Sequence, residues 1–212
     1  MQITPKHYSL LLAILFCYAC HNSNLVTIKD DAGKIAEKYA VNEAGTKHGP
    51  YESYINGVLV EKSNYQNDKL HGSRILYHTN GAVEIEENYD NDVIVGSYKT
   101  YFHTGVLAQE AMYTNGVMQG ILKSYYEDGS LKEEVTMVNN EENGPFKEYH
   151  ENGKIAWEGQ FLDGDNEFGL LKNYDESGVL IKKMICDSLA ICTTIWTLEK
   201  GNVTTKPYKP SK

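Results

Sequence analysis

Basic residues are scarce in this chain of 212 residues, which carries 20 Lys and Arg against 29 Asp and Glu and has a formal net charge of −9. An acidic surface repels the phosphates of nucleic acids and the head groups of anionic lipids. We therefore expect no nucleic-acid partner, and no membrane binding through the surface of the folded chain.

Recognisable catalytic motifs are also missing. The sequence contains no Gly-x-Ser-x-Gly, no phosphate-cradling Gly-Lys-Ser/Thr loop and no His-Glu-x-x-His. We therefore predict a protein that is not an enzyme, with no catalytic residue, no cofactor and no small-molecule substrate.

Glycine and tyrosine are abundant, with 18 and 16 copies, and they recur at a fixed period. Between Gly49 and Gly178 the chain repeats six times a pattern of Gly, then Tyr five residues later, then a second Gly with Leu, Val or Ile two residues after it. The period is 24 residues, and 25 at the last step. The second glycines are Gly57, Gly81, Gly105, Gly129, Gly153 and Gly178, and the tyrosines are Tyr54, Tyr77, Tyr101, Tyr125, Tyr149 and Tyr174. Gly33 opens a half unit that lacks the preceding Tyr strand.

Each unit predicts a β-hairpin, because two runs rich in Tyr, Val, Ile and Leu flank a Gly that can adopt the positive φ of a tight turn. A three-residue turn that ends on this Gly, with a bulge, places Tyr125 opposite Leu131 and Tyr149 opposite Ile155. The Gly49 unit is one residue shorter in this loop, so its turn should differ. Six and a half hairpins then form a twisted, single-layer antiparallel β-meander about 60 Å long.

One column of lysines follows the first Gly of four units. Its members are Lys99, Lys123, Lys147 and Lys172, and the predicted register places them opposite Gln109, Glu133, Trp157 and Lys182. This pairing is only partly complementary, so we interpret the column as a solvated face with weak ion pairs.

Histidines and acidic residues do not converge in this arrangement. Equivalent residues such as His48 and His71 lie about 10 Å apart along the stack, whereas ligands of one metal ion must lie within about 3–4 Å of each other. Adjacent carboxylates such as Glu133 and Glu134 point to opposite faces of a strand. We therefore predict no metal site and no pair of catalytic carboxylates.

The repeat resembles the bacterial variant of the MORN (membrane occupation and recognition nexus) repeat. The resemblance rests on Gly-x-x-x-x-Tyr-x-x-x-Gly-x-Leu, as in LHGSRILYHTNGAVEIEENYDND and NGPFKEYHENGKIAWEGQFLDGD, and covers about residues 33–186. Similar proteins are often grouped with a MORN-variant antitoxin family, and other MORN arrays act as docking or scaffold surfaces. The resemblance therefore implies a protein partner, which the sequence does not identify.

The N-terminal segment MQITPKHYSLLLAILFCYAC has a short apolar run, Leu10–Phe16, that matches the core of a secretory signal. It resembles a bacterial lipoprotein signal, with cleavage after Ala19 and a lipid on Cys20. An ordinary cleaved signal peptide and an uncleaved anchor remain alternatives. We expect a signal peptide at residues 1–19, a polar tether at 20–32, the repeat array at 33–186 and capping strands with a tail at 187–212.

The C-terminal stretch after the array alternates apolar and polar residues, which predicts two or three strands that cap the open end. Cys186 and Cys192 lie in it, and the spacing leaves open both a disulfide and two free thiols. The sequence thus favours a lipid-anchored protein of the bacterial cell envelope, at the outer membrane or the periplasmic face, whose sheet binds a protein partner in an antitoxin-like or immunity-like role. A structural spacer without specific recognition and a cytoplasmic antitoxin are the alternatives.

Overall fold

A computed structural model of the protein describes residues 24–203. They form 17 strands in one sheet, in which the paired strands run antiparallel and follow one another in the chain. The strands are β1 Asn24–Lys29, β2 Ile35–Val41, β3 Lys47–Ile55, β4 Val58–Gln66, β5 Lys69–Tyr77, β6 Val83–Asp90, β7 Val93–Ile94, β8 Gly96–Tyr101, β9 Leu107–Thr114, β10 Val117–Tyr125, β11 Leu131–Val138, β12 Glu141–Tyr149, β13 Ile155–Phe161, β14 Glu167–Tyr174, β15 Leu180–Cys186, β16 Cys192–Thr197 and β17 Gly201–Asn202. The predicted all-β meander is confirmed. Residues 24–203 contain no helix that could cross a membrane.

The tip turns of the hairpins have the predicted register. Tyr125 pairs with Leu131 and Tyr149 with Ile155, and the pairing shifts by one residue beside each tyrosine. The Gly129 amide donates to the Tyr126 carbonyl over 2.9 Å, and Gly129 has a φ of 87°. This is a three-residue loop that ends on a left-handed Gly, as expected.

The shorter loop of the Gly49 unit does differ from the others. Here Ile55 pairs with Val58 across a two-residue loop of Asn56 and Gly57, both at positive φ. Two consecutive residues at positive φ characterise a type I′ turn, which suits the twist of a two-stranded ribbon.

A second set of turns, at the opposite edge of the sheet, joins one hairpin to the next. Most of these turns have two residues at positive φ, as at Asn67-Asp68, Asn91-Asp92, Asn115-Gly116, Asn139-Asn140 and Asp163-Gly164. Several hold the preceding unit as well: Oδ1 of Asp92 accepts the Leu70 amide over 2.8 Å, and Oδ1 of Asn140 accepts the Met118 amide over 2.7 Å. Each such turn therefore fastens two neighbouring units through backbone groups at a sheet edge.

The first Gly of each unit forms a bulge inside the sheet. Gly144 has a φ of 125° and pairs with Phe161, and the equivalent Gly120 has a φ of 87° and pairs with Met137. The two glycines supply a backbone conformation that other residues rarely adopt.

The two faces of the sheet differ in chemistry. The core face carries the buried cluster of Val135, Met137, Phe146, Leu171 and Cys186. Val135 and Leu171 have no exposed surface, because side chains such as Trp157, Phe161 and Met184 pack around them. The described residues form no second layer over this face. The opposite face, here called the ladder face, carries Lys123, Tyr125 and Glu134.

The expected polar tether at residues 20–32 needs correction. Its part from Asn24 to Lys29 is strand β1, which pairs with β2 and places Lys29 opposite Ile35. β1 therefore supplies the strand that the Gly33 half unit was expected to lack. The segment Leu25-Val26-Thr27-Ile28 has strong β-propensity, but it has Lys where the other units have Tyr, so the repeat pattern does not reveal it.

Candidate protein-interaction surface

A row of alternating charges crosses the ladder face. Direct pairing along consecutive strands runs from Glu86 to Lys99, Glu110, Lys123, Glu134, Lys147, Glu158 and Lys172. The Lys123 Nζ lies 4.0 Å from Glu110 and 3.7 Å from Glu134, and the Lys172 Nζ lies 2.7 Å from Glu158. Carboxylates on this face therefore have cations on both neighbouring strands, except at the ends of the row.

The expected partners of the lysine column were wrong by one residue. Lys99, Lys123 and Lys147 face Glu110, Glu134 and Glu158, and Lys172 faces Lys183. The bulge beside each tyrosine inserts one extra residue into the following strand, so every pairing beyond it moves by one position. The column is therefore far more complementary than the sequence indicated.

The repeat tyrosines complete this ladder. The hydroxyls of Tyr101, Tyr125 and Tyr149 donate to Glu86, Glu110 and Glu134 over 2.8, 2.7 and 2.9 Å. Burial, together with the hydrogen bond to a carboxylate, raises the pKa of each of these three tyrosines to about 12. Tyr54 and Tyr174 likewise donate to Glu52 and Glu158.

The aromatic side chains of the core face belong to other columns. Tyr39, Tyr51 and Tyr65 form one group, with ring centroids 6.2 and 5.3 Å apart, and the Lys47 Nζ lies 4.5–5.3 Å from the three centroids. Phe146 stacks on Phe161 at 4.3 Å. The core face thus changes along the array from tyrosine to phenylalanine and aliphatic residues.

Two carboxylates on the core face lie side by side and form no ion pair within residues 24–203, although the charge of Lys132 lowers the pKa of both. Glu133 pairs directly with Glu148, between β11 and β12. Burial raises the pKa of Glu133, and the charge of Glu148 raises it further; burial also raises the pKa of Glu148, with the charge of Glu167 adding to it. They line a groove of about 460 Å³ together with Tyr126, Lys132, Tyr149, His150, Ala156 and Trp157.

Nearer the N-terminus, two core-face carboxylates are paired with Arg74, the only arginine of the sequence. The Arg74 guanidinium lies 2.9 Å from Glu61 and 2.8 Å from Glu87, and the Tyr89 hydroxyl also donates to Glu87 over 3.0 Å. Desolvation lowers the pKa of Arg74, but the two carboxylates outweigh this effect and keep it charged. Glu87 is buried, and the pairing with Arg74 compensates the cost of burying a charged group.

The comparison with known families agrees with this architecture. Four segments of the chain, residues 70–91, 94–115, 118–139 and 142–163, match the family described as MORN repeat variant. These four segments are therefore MORN-variant repeats. No curated protein matches the chain. MORN repeats are generally non-catalytic.

The array of hairpins extends beyond the matched segments in the structure. Hairpins β1–β2 and β3–β4 precede them, and β14–β15 follows with the same pairing of Tyr174 with Leu180. Strands β16 and β17 then continue the sheet. The predicted turn glycines lie at the hairpin tips, where Gly57, Gly81, Gly105, Gly129, Gly153 and Gly178 all have positive φ.

Two histidines of the array join neighbouring hairpin tips. The Nε2 atoms of His78 and His150 lie 3.0 Å from the carbonyl oxygens of Tyr101 and Tyr174. Asn80 and Asn152 donate to the carbonyls of His103 and Glu176 in the same way, over 2.8 and 2.7 Å. These side chains have a structural role that the sequence pattern did not reveal.

Cys186 and Cys192 form a disulfide across the β15–β16 pair. With Glu167 they are the one group of three possible metal ligands between residues 24 and 203. A disulfide offers no thiolate to a metal, so the group could act as a site only after reduction. Cys20 lies outside the described residues.

Proposed function

We propose that this MORN-repeat protein is a non-enzymatic interaction module of the bacterial cell envelope, anchored by a lipid on Cys20, whose sheet binds a protein partner in an immunity-like or antitoxin-like role. The observation that supports it is the contrast between the two faces. Carboxylates of the ladder face are paired with lysines and tyrosines, whereas Glu133 and Glu148 on the core face lie next to each other beside an open groove.

A surface that carries like charges side by side weakens its own sheet, because like charges directly opposite each other destabilise a strand pair. Such an arrangement is expected where a partner supplies the missing opposite charge. The structural-spacer alternative gives no reason for this pair, since a spacer needs only the regular ladder.

The anchor is tested by intact-mass and detergent-partition measurements on the full chain and on Cys20→Ala, both expressed in a bacterial host. We expect a mass that fits cleavage before Cys20 plus acyl chains, and loss of both the added mass and the detergent partition in the variant. An unmodified, water-soluble full-length chain would instead favour the cytoplasmic antitoxin.

The interaction itself is tested by cross-linking and capture from solubilised envelopes of the native host with the folded full chain as bait. A partner that is recovered reproducibly, and whose purified form binds the chain with 1:1 saturation, is the expected result. Repeated capture experiments without such a partner would contradict the proposal.

A further inference from the structure

Glu133 and Glu148 lie directly opposite each other, and neither forms an ion pair, unlike Glu110, Glu134 and Glu158 on the ladder face. Neither side chain takes part in an ion pair or hydrogen bond with another side chain among residues 24–203. The charge of Lys132, which follows the tip turn on β11, acts on both carboxylates, and its Nζ lies 5.9 Å from the Tyr126 ring centroid. The Lys182 Nζ lies 5.9 Å from the Trp157 ring centroid. Directly opposed residues on neighbouring strands place their Cβ atoms about 5 Å apart, so a single cation could reach both carboxylates.

The surroundings of the pair combine acidic and aromatic groups. Trp157 follows Glu148 in the same row across the sheet, because β12 and β13 pair Glu148 with Trp157. On the far side of the buried cluster lie two further carboxylates, Glu142 and Glu167, opposite Met137 and Phe161. An apolar strip on the core face is therefore flanked by acidic residues on both sides.

The same face of the chain also shows how one arginine can bind two carboxylates, there from the strands on either side of it. In the N-terminal part of the same face, Arg74 bridges Glu61 and Glu87 from the two neighbouring strands. Lys47 similarly lies against the aromatic rings of Tyr39, Tyr51 and Tyr65. The equivalent C-terminal region has the carboxylates and the aromatic rings, but no arginine of its own.

We propose that the partner inserts an Arg or Lys side chain, carried on an apolar segment, between Glu133 and Glu148, and that its neighbouring apolar side chains pack on Trp157. This inference rests on the proposed function and specifies its site and the chemistry of the partner. Arginine suits the site best, since its planar guanidinium can hydrogen-bond to two carboxylates at once and stack on an aromatic ring.

The rival surface is the apolar row on the ladder face. Met112, Ile121, Leu170 and Ile185 are 45–53% exposed there. The charges beside this row are already paired with each other, so that face offers a cationic segment no unpaired carboxylate.

The probe is a fluorescent peptide of alternating Leu and Arg, compared with the same peptide in which neutral citrulline replaces each Arg. Binding to the full chain is measured by fluorescence anisotropy. The test variant is Glu133→Gln/Glu148→Gln. The matched control is Glu43→Gln/Glu176→Gln, which removes the same two charges from exposed turns.

We expect the wild type to bind the Arg peptide, the test variant to bind it at least tenfold more weakly, the control variant to stay within twofold of the wild type, and the citrulline peptide not to bind. Equal losses in the two variants would reveal attraction by net charge alone and overturn the inference. Binding of the citrulline peptide, no binding by the wild type, or loss of binding only in Ile121→Ser/Leu170→Ser would overturn it as well. Quenching of the tryptophan fluorescence by Ca²⁺ without peptide, lost in the test variant, would assign the pair to a metal ion instead.

The captured partner separates this inference from the proposed function. A partner that binds the wild type and Glu133→Gln/Glu148→Gln with equal affinity would leave the interaction module standing and discard this site. If the chain binds the Arg peptide as expected but captures no partner, the site would stand and the proposed interaction module would be discarded.

Discussion

The hydroxyl groups of the repeat tyrosines stabilise the array through the carboxylates they bind. Tyr125 donates to Glu110 over 2.7 Å. Tyr77, in the same column, makes no side-chain hydrogen bond within residues 24–203, because the ladder residues that pair at its level are Lys62 and Ile75. A shared position in the repeat therefore does not imply a shared contact.

We expect Tyr125→Phe to lower the free energy of unfolding by about 1 kcal/mol, the usual contribution of one hydrogen bond. Tyr77→Phe, which loses no hydrogen bond within the described part of the chain, should change it by a few tenths at most. Urea unfolding followed by circular dichroism measures both. Equal losses in the two variants would show that the hydroxyl contact with Glu110 contributes nothing.

Gly159 lies where two large side chains of the core face meet. A Cβ at this position would come within 2.9 Å of Phe146 Cε1 and 3.0 Å of Leu171 Cγ. Its φ is not in the left-handed region, so the position requires a glycine for space alone.

We expect Gly159→Ala to destabilise the protein by about 1–3 kcal/mol through overpacking. Gly129→Ala is the comparison, because its Cβ has room but its φ of 87° is strained. Adding Phe146→Leu to each variant distinguishes the causes in thermal unfolding: it should partly rescue Gly159→Ala and leave the cost of Gly129→Ala unchanged.

At the scale of a strand, β11 places two adjacent glutamates in opposite environments. Glu134 on the ladder face lies 3.7 Å from the Lys123 Nζ and accepts the Tyr149 hydroxyl, whereas Glu133 on the core face opposes Glu148. Neutralising one of them should therefore have the opposite effect of neutralising its neighbour.

We expect Glu133→Gln to stabilise the protein at pH 7 by up to about 1 kcal/mol and Glu134→Gln to destabilise it by a similar amount. The pKa of Glu133 is raised in the folded state, so its contribution to stability falls as the pH rises from the usual range of a glutamate through the raised value. The gain from Glu133→Gln should accordingly be present at pH 7 and disappear on acidification towards pH 4. Chemical unfolding between pH 4 and 8 measures this, and a gain that is independent of pH would contradict the assigned cause.

Local sequence signals predict the hairpins well, but not everything that depends on their bulges. The Gly and Tyr spacing gave the three-residue tip turns and the pairing of Tyr149 with Ile155, because both depend on neighbouring residues. It missed the Lys147–Glu158 pairing, since one inserted residue shifts the register on the far side of the bulge. It also missed strand β1, whose tip residue is Lys29 rather than Tyr.

The candidate site could not be read from the sequence for a related reason. Glu133 and Glu148 look like many other glutamates until the register places them opposite each other. The disulfide between Cys186 and Cys192 was one of two possibilities, because their spacing allows a hairpin without establishing its pairing.

At the scale of the whole molecule, removing one unit can distinguish a role that depends on the length of the array from one that depends on a particular binding surface. Stability of such an array is approximately a sum over units and their interfaces, so removal of one 24-residue unit should leave the rest folded. A spacer would respond to length alone, whereas a binding surface depends on which unit is removed.

We expect deletion of residues 118–141, which removes Glu133, to abolish binding of the Arg peptide and of a captured partner. Deletion of residues 94–117 shortens the array equally and should preserve binding within a few-fold. Circular dichroism establishes that both shortened chains fold, and anisotropy measures their binding. Equal, graded losses in the two chains would support the spacer.

The charge ladder also limits how such a protein can change its length during evolution. Between β8 and β13 each hairpin contributes one lysine strand and one glutamate strand, so duplication or loss of a whole hairpin preserves the alternation. Gain or loss of a single strand would put two equal signs side by side. The Lys172–Lys183 pair is the point where the alternation breaks, and it lies in the last hairpin before the capping strands. The array can therefore gain or lose an even number of strands and keep the alternation of charges. A duplicate of the final hairpin would repeat the pairing of two lysines.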